Sequence, residues 1–272
     1  MQTQEKYVLI TGAYGGMGRA VTAALVREGY RVLAIDKTVG DEADGVIPIE
    51  ADITTEAGVD SVLERVKAHT DSLFAVLHFA GIYMLDSLVE MEADAFRRIL
   101  AVNFCGAFLI NRAFFSMLTE GSRILITTSE LAALDPLPFT GLYAVTKGTL
   151  DKYAYSLRME LQLLNIPVSV LRAGAVKTKM LGASTNALDR FCEKTALYRC
   201  NAKRFRAIVN RVEARCVPPE KIAKKTVKIL KKRKPRFAYT INRNPLLLLL
   251  HLLPKRLQLF AIRMVLHTKK EK

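Results

Sequence analysis

TGAYGGMG, residues 11–18, follows the apolar run YVLI (7–10) and precedes RAVTAALVREG (19–29). Strand, glycine turn and helix is the order that a bound dinucleotide requires. Glycine lets the backbone approach the phosphates, and the first turn of the helix supplies N–H donors. Gly12, Gly16 and Gly18 are spaced G-x-x-x-G-x-G, not the G-x-G-x-x-G of many dehydrogenases, and alone this spacing fits a structural loop as well. The next apolar run, RVLAID, ends in Asp36, eighteen residues after Gly18. A carboxylate at that strand end accepts hydrogen bonds from ribose hydroxyls and repels a 2′-phosphate, so NAD is expected rather than NADP. Lys37, beside it, pulls the other way, because a cation there can hold a phosphate.

Further apolar runs rich in branched residues follow: GVIPIE (45–50), LFAVLHFAG (73–81), RILITTS (123–129) and PVSVLRAG (167–174). Helical patterns over 16–29, 55–69, 92–119 and 141–165 separate them. Near-continuous hydrophobic strands alternating with helices predict an α/β fold: a Rossmann-type, doubly wound parallel sheet with helices on both faces. Beyond residue 180 come an irregular helical stretch (185–215), PPEKIAKKTVKILKKRK (218–234) with proline near a helix start, a last strand RFAYTI (236–241), and NPLLLLLHLLPKRLQLFAIRMVLH (244–267). No repeat or Pro/Gly-rich linker interrupts the chain. One domain over 1–272 is expected, with the cofactor-binding and catalytic core in 1–180, pocket helices and last strand in 181–244, and a basic amphipathic C-terminal helical extension in 245–272. The apolar segment between Pro245 and Pro254 has eight residues, about 12 Å as a helix, too short for a bilayer core of about 30 Å. Burial against the body, a subunit contact and in-plane membrane contact all remain open for it.

Of the 272 residues, 50% are hydrophobic, enough for a large core. The net charge of +15 is uneven: residues 199–272 hold 22 Lys/Arg against 3 Asp/Glu. A solvated basic face, an anionic membrane surface or acidic substrates would each accommodate this. Nucleic acid is not expected as a partner, since the basic segment has few aromatics and no stacking platform. Cys105, Cys192, Cys200 and Cys216 show neither C-x-x-C pairing nor metal-ligand spacing with the histidines, so reduced thiols, a cytoplasmic setting and no metal are expected. The opening MQTQEK lacks a basic n-region and an apolar h-region, and no signal peptide is expected.

YAVTK places Tyr143 and Lys147 four residues apart, on one helical face. Tyrosine is a poor base near its ordinary pKa of about 10, and a neighbouring ammonium favours the phenolate. Ser129 ends the run RILITTS, at the strand end where open parallel sheets bind ligands. Taken together with the glycine turn and Asp36, these residues resemble the short-chain dehydrogenase/reductase family across essentially the whole chain. TGAYGGMG looks like the family's T-G-x-x-x-G-x-G turn. ADI (51–53) resembles the stretch that meets the adenine, HFAG (78–81) stands where the family has N-N-A-G, and AGAVKT (173–178) stands in place of P-G-x-x-x-T. His78, Phe79 and Ala173 are departures; the first two put local support of the sheet in doubt, the third the loop at the nicotinamide.

The resemblance implies a catalytic tetrad of Asn103, Ser129, Tyr143 and Lys147. Tyr143 would be the general acid/base, Lys147 would lower its pKa and hold the nicotinamide ribose, Ser129 would bind the substrate oxygen, and Asn103 would position a relaying water. Cofactor contacts are implied at Gly12, Tyr14, Gly15, Gly16, Met17, Gly18, Asp36, Lys37, Asp52, Ile53, Ala80, Gly81, Tyr143, Lys147, Val176 and Thr178. With all four tetrad positions kept, a non-catalytic NAD-sensing protein is the weaker reading. The expected pocket lining, Leu131, Leu134, Leu137, Phe139, Met180 and Leu181, is apolar. Together with the chain's ending it looks like the hydroxysteroid and retinol dehydrogenase branch, implying a steroid-like secondary alcohol, or else retinol, another lipid alcohol or a carbonyl. Relatives form dimers or tetramers through two long helices, so a homo-oligomer is expected, with Phe104, Phe108, Phe114 and Phe115 serving core or interface.

Overall fold

In the computed structural model, the branched runs form a seven-stranded parallel sheet of order β3-β2-β1-β4-β5-β6-β7. Residues 5–213 and 215–266 are described, without the side chains of 181–186, 200, 203 and 209–213. The strands are β1 (Tyr7–Thr11), β2 (Arg31–Asp36), β3 (Val46–Glu50), β4 (Leu73–His78), β5 (Leu118–Ser129), β6 (Val168–Ala173) and β7 (Ala238–Ile241). Strand order reverses between β1 and β4, which opens a crevice beyond their carboxyl ends. Sheet and crossover helices make this a Rossmann-type α/β fold, as expected.

Both sheet faces are covered, which is why the strands read as apolar throughout. On one face α2 (Glu56–Lys67), α4 (Gly106–Phe114) and α5 (Gly141–Leu161) bring Val62, Ile110, Phe114 and Ala154 onto Leu9, Leu33 and Ile126. On the other, α1 (Gly16–Arg27) and α8 (Pro219–Leu230) bring Val21, Leu25, Ile222 and Val227 onto Val8, Ile10 and Val32. Each fully buried aliphatic side chain contributes about 2 kcal/mol.

Three segments depart from the sequence expectation. The helix expected over 92–119 is α3 (Ala93–Leu100), a π-helical turn (Ala101–Cys105), α4 and a short 3-10 turn, and β5 begins at Leu118. The strand start is unreadable because Thr119, Glu120 and Gly121 are exposed and Gly121 has φ +85°. The stretch 185–215 splits into α6 (Lys179–Lys194) and α7 (Arg199–Glu213). Between them the Glu90 carboxylate accepts from the Thr195 hydroxyl (2.7 Å) and from the Ala196 and Leu197 amides (2.8 and 3.1 Å), partners that end a helix. α5 stops at Leu161, and Asn165 turns the chain at φ +58°.

His78, at the end of β4, is 3% exposed, and its Nε2–H donates to Asn111 Oδ1 at 2.9 Å. Burial holds its pKa near 4, against an ordinary 6.5. The folded state therefore refuses a proton that the unfolded chain accepts. Stability falls as pH drops from 6.5 towards 4, by about 3 kcal/mol over that window. Denaturant melts of His78→Asn should show a flatter acid limb than the wild type; an unchanged limb would mean that other groups set it.

Candidate active site

The glycine turn lies at the β1 end of the crevice. Gly12 has φ +70°, and a Cβ there would sit 2.5 Å from the Ala80 amide nitrogen. A Cβ on Gly18 would meet the Gly12 carbonyl at 2.0 Å, and one on Gly16 would meet Thr178 Cβ at 2.6 Å. Glycine is therefore required to bring the turn, the β4 loop and the loop after β6 together. α1 starts behind Gly15 with no capping side chain, so its first amides border the groove, as anion binding needs.

A groove of about 280 Å³ runs along this turn. Gly12, Tyr14, Gly15, Gly16, Met17 and Gly18 form one wall, with Asp36, Lys37, Ile53, Ala80, Gly81 and Thr178 around it. The Asp36 carboxylate is fixed by the amides of Tyr14 (2.9 Å) and Lys37 (2.8 Å). The Lys37 ammonium turns away to Asp52, at 2.8 Å. Asp52 is also bonded by the amide and hydroxyl of Thr54 (2.9 and 2.6 Å). Burial works to raise the Asp52 carboxyl, but Lys37 and Thr54 overcome it and hold the pKa near 2. Asp52 itself is not in the groove lining, where Ile53 and Thr54 stand instead. Arg98, Val102 and Lys179 also line the groove; nothing in their local sequence distinguishes them from solvated or core residues.

The four tetrad positions converge at the other end. Ser129 ends β5; Tyr143 and Lys147 lie one turn apart on α5; Asn103 sits in the π-helical turn. Ser129 Oγ accepts from the Leu131 amide at 3.2 Å and lines the same cavity as Tyr143. A Cβ placed on Gly81 would lie 3.2 Å from Lys147 Nζ and 3.3 Å from Asn103 Oδ1, so Lys147 and Asn103 reach one point that only glycine leaves open. Asn103 accepts from the Ile82 amide (2.8 Å) and donates to the Ile82 carbonyl (3.0 Å) and Thr146 Oγ1 (3.1 Å). Thr146 in turn donates to the Tyr143 carbonyl at 2.8 Å.

Lys147 is 6% exposed, donates to the Thr127 carbonyl at 3.3 Å, and has its pKa lowered to about 8 by burial. Its ammonium stands 6.0 Å from the centre of the Tyr143 ring. Burial pushes the Tyr143 phenol up, Tyr83 adds to this, and the Ser129 hydroxyl opposes it. Burial therefore sets the direction of the Tyr143 shift, opposite to the depression expected from the sequence.

Beyond Ser129 and Tyr143 opens a second cavity, of about 220 Å³. Leu131, Leu137 and Met180 line it as expected; Val176, expected at the cofactor, lines this cavity and not the groove along the glycine turn. Leu134 does not line the cavity; it faces Leu247 and Leu250 beside it. Phe139 packs instead against Phe191, Tyr198 and Phe205, with ring centroids 4.6–5.2 Å away. The Leu181 side chain lies outside the described residues. Tyr83, Phe205, Ile208 and Leu247 also line it, brought from remote segments that carry no local motif, and Glu130, Thr128, Thr140 and Thr178 add polar groups to Ser129 and Tyr143. The Asp151–Arg172 pair fixes α5 to the sheet: Arg172 donates to both carboxylate oxygens at 2.9 and 2.7 Å, and Thr128 adds a 3.3 Å bond. Such a bidentate pair positions the helix carrying Tyr143 and Lys147.

The short chain dehydrogenase family model matches residues 6–189. The chain belongs to the short-chain dehydrogenase/reductase family. It is similar to an NADPH-dependent 1-acyldihydroxyacetone phosphate reductase of Schizosaccharomyces pombe, 30% identical over 67% of this chain and 65% of the relative. It is also similar to estradiol 17-beta-dehydrogenase 2 of Mus musculus, 28% identical over 67% of this chain and 51% of the relative. The fold is shared with a short chain dehydrogenase from Burkholderia cenocepacia in complex with NADP, with a TM-score of 0.73 and 20% identity, covering 99% and 100% of the two chains. As a family member the protein is an oxidoreductase that uses a nicotinamide nucleotide.

The residues present fit such a nucleotide. The uncapped start of α1 suits the phosphates, Asp36 suits a ribose, and the space beside Gly81, kept open by the missing Cβ, suits a ring near Lys147. When bound, the nucleotide supplies or accepts hydride. Beside that space the chain offers the Ser129 and Tyr143 hydroxyls in an apolar cavity, an arrangement able to hold a substrate oxygen, exchange a proton with it and exclude water.

Proposed function

We propose that the protein is an NAD(H)-dependent dehydrogenase interconverting a secondary alcohol and its ketone on a rigid hydrophobic substrate, a hydroxysteroid in the first instance. The observation that carries this is the apolar cavity of about 220 Å³ whose polar end is Ser129 and Tyr143. Asn103, Ser129, Tyr143 and Lys147 are the catalytic residues in this reading. A long-chain lipid ketone is the second reading, favoured by Leu247, which brings the leucine-rich C-terminal segment into the same cavity. The preference for NAD rests on Asp36, whose fixed carboxylate repels a 2′-phosphate, while Asp52 holds Lys37 away.

The same reading makes the protein a cytoplasmic homodimer or homotetramer, consistent with free thiols at Cys105, Cys192 and Cys216. Exposed Phe108, Phe115, Tyr155 and Met159 on the two long helical segments support an oligomer contact.

The test is nicotinamide reduction with NAD or NADP across 3-, 7- and 17-hydroxysteroids, retinol and simple alcohols. NADH should appear with one steroid position. Asp36→Ser should weaken NAD use by about ten- to a hundredfold, as loss of charged hydrogen bonds predicts, and raise NADP use relative to it. A wild type that prefers NADP would overturn the cofactor reading, and turnover of simple alcohols alone would overturn the substrate reading.

A further inference from the structure

The C-terminal helices α9 (Pro245–Leu252) and α10 (Lys255–Leu266) each have two unlike faces. Inner residues Leu247, Leu250 and His251 of α9 and Gln258 and Ile262 of α10 settle on the segment 131–137 that follows Ser129. Their seat is fixed by polar contacts. Asp135 takes His251 Nδ1 at 2.8 Å and the Lys255 ammonium through its other oxygen. Gln258 Nε2 donates to the carbonyls of His251 (3.2 Å) and Leu253 (2.8 Å), tying one helix to the other. Glu130 accepts from the Asn244 amide at 2.7 Å, and the Asn244 side chain caps α9 through Leu246 N at 2.9 Å.

The outer faces are apolar and open to solvent. Leu246, Leu249 and Leu252 of α9, at i, i+3 and i+6, are 61–71% exposed. Leu257, Leu259, Phe260 and Met264 of α10 are 52–68% exposed. Arg256 and Arg263 stand among the latter, also exposed, and no acidic residue occurs between Arg243 and Leu266. An apolar surface of this extent marks an interaction site.

We propose that this outer face docks on an anionic bilayer, its leucines and Phe260 entering the headgroup–acyl boundary while Arg256 and Arg263 meet lipid phosphates and carboxylates. Charge complementarity selects the bilayer over a second copy. A two-fold contact through this face would set Arg256 and Arg263 against the same cations of the partner, whereas an anionic leaflet attracts each basic residue by about 1 kcal/mol. Length selects lying over spanning: α10 has 12 residues, about 18 Å, against about 30 Å of hydrocarbon. The face also leads somewhere. Leu246 and Leu249 look outward, while Leu247, between them, lines the cavity beside Ser129 and Tyr143. A lipid-dissolved alcohol or ketone would therefore pass along α9 to the tetrad; this last step rests on the dehydrogenase reading, whereas the docking does not.

The full-length protein is sedimented with phosphatidylcholine vesicles, with and without phosphatidylserine, and NADH binding is followed by fluorescence in parallel. The wild type should bind the phosphatidylserine vesicles preferentially. Leu249→Glu with Phe260→Glu, and separately Arg256→Glu with Arg263→Glu, should each lower the bound-to-free ratio about tenfold or more, with NADH affinity unchanged as proof of folding. Wild-type protein that stays in the supernatant, or variants that bind as it does, would overturn the docking. Variants that instead change molar mass in light scattering, with no wild-type vesicle binding, would assign the face to a second copy and also overturn it. Retained vesicle binding without any dehydrogenase turnover would sink the catalytic reading and the route along α9, and leave the docking standing.

Discussion

Tyr143→Phe is expected to lower turnover by a factor on the order of 10³, within the range by which positioned acid–base groups act, and to leave NADH binding within about twofold. The change removes one oxygen. The ring packs beside Tyr83 with centroids 4.9 Å apart, so the phenylalanine ring keeps its seat. What disappears is the group able to pass a proton to the substrate oxygen at the place where Ser129 holds it. Burial raises the phenol, so the neutral hydroxyl predominates at neutral pH, which suits donation to a ketone; oxidation of an alcohol should gain from rising pH. Steady-state rates with the best alcohol from the panel, beside NADH titration by fluorescence, check this. Turnover within tenfold of wild type would remove Tyr143 from the chemistry. Loss of NADH binding together with turnover would make its role structural.

Lys147→Met should lose turnover by at least about a hundredfold and yet make the protein more stable. The sign follows from burial. Lys147 is 6% exposed, and its folded pKa of about 8 lies below the 10.5 of an exposed lysine. The folded state disfavours the ammonium, which costs about 3 kcal/mol below pH 8 and is relieved as pH rises from 8 to 10.5. Methionine fills similar volume without that cost. It forfeits the bond to the Thr127 carbonyl, worth about 1 kcal/mol. The net gain of about 2 kcal/mol corresponds to a Tm higher by about 4–8 °C at pH 7 for a chain of this size, and the gap should close towards pH 10. Thermal melts at the two pH values decide it. A destabilised variant, or a gap that widens with pH, would mean that the ammonium is well compensated where it lies. A residue that costs stability and resides beside the reacting groups is the pattern of a functional site.

The cofactor half of the site was legible because its requirements are local. Gly12, Gly16 and Gly18 fall within one turn, and each answers a close approach or a positive φ that a Cβ would forbid. Asp36 ends the next apolar run, and Tyr143 with Lys147 needs only helical spacing. Other features lacked a local signal. Asn103 gives no hint that it occupies a π-helical turn, since its four apolar or small neighbours Ala101, Val102, Phe104 and Cys105 read as continuous helix. That Asp52, read by the resemblance as a ligand contact, also pairs with Lys37 had no local signal, because the end of β2 and the loop after β3 lie side by side only in the sheet. Phe139 belongs to the same short segment as Leu131 and Leu137. A left-handed turn, φ +63°, swings it into an aromatic cluster instead of the cavity.

The alternation of apolar strands and helices, read with the glycine turn, determined the α/β fold and the crevice, because periodicity and backbone sterics operate over a few residues; the four tetrad positions came from the family resemblance. Tertiary structure alone decided which side chains wall the substrate cavity, with Tyr83, Phe205 and Leu247 arriving from three separate segments. It alone also decided that the leucine-rich tail turns one face to the catalytic cavity and leaves the other bare. Burial is a property of what lies opposite a residue, and that is set by contacts between segments far apart in the chain.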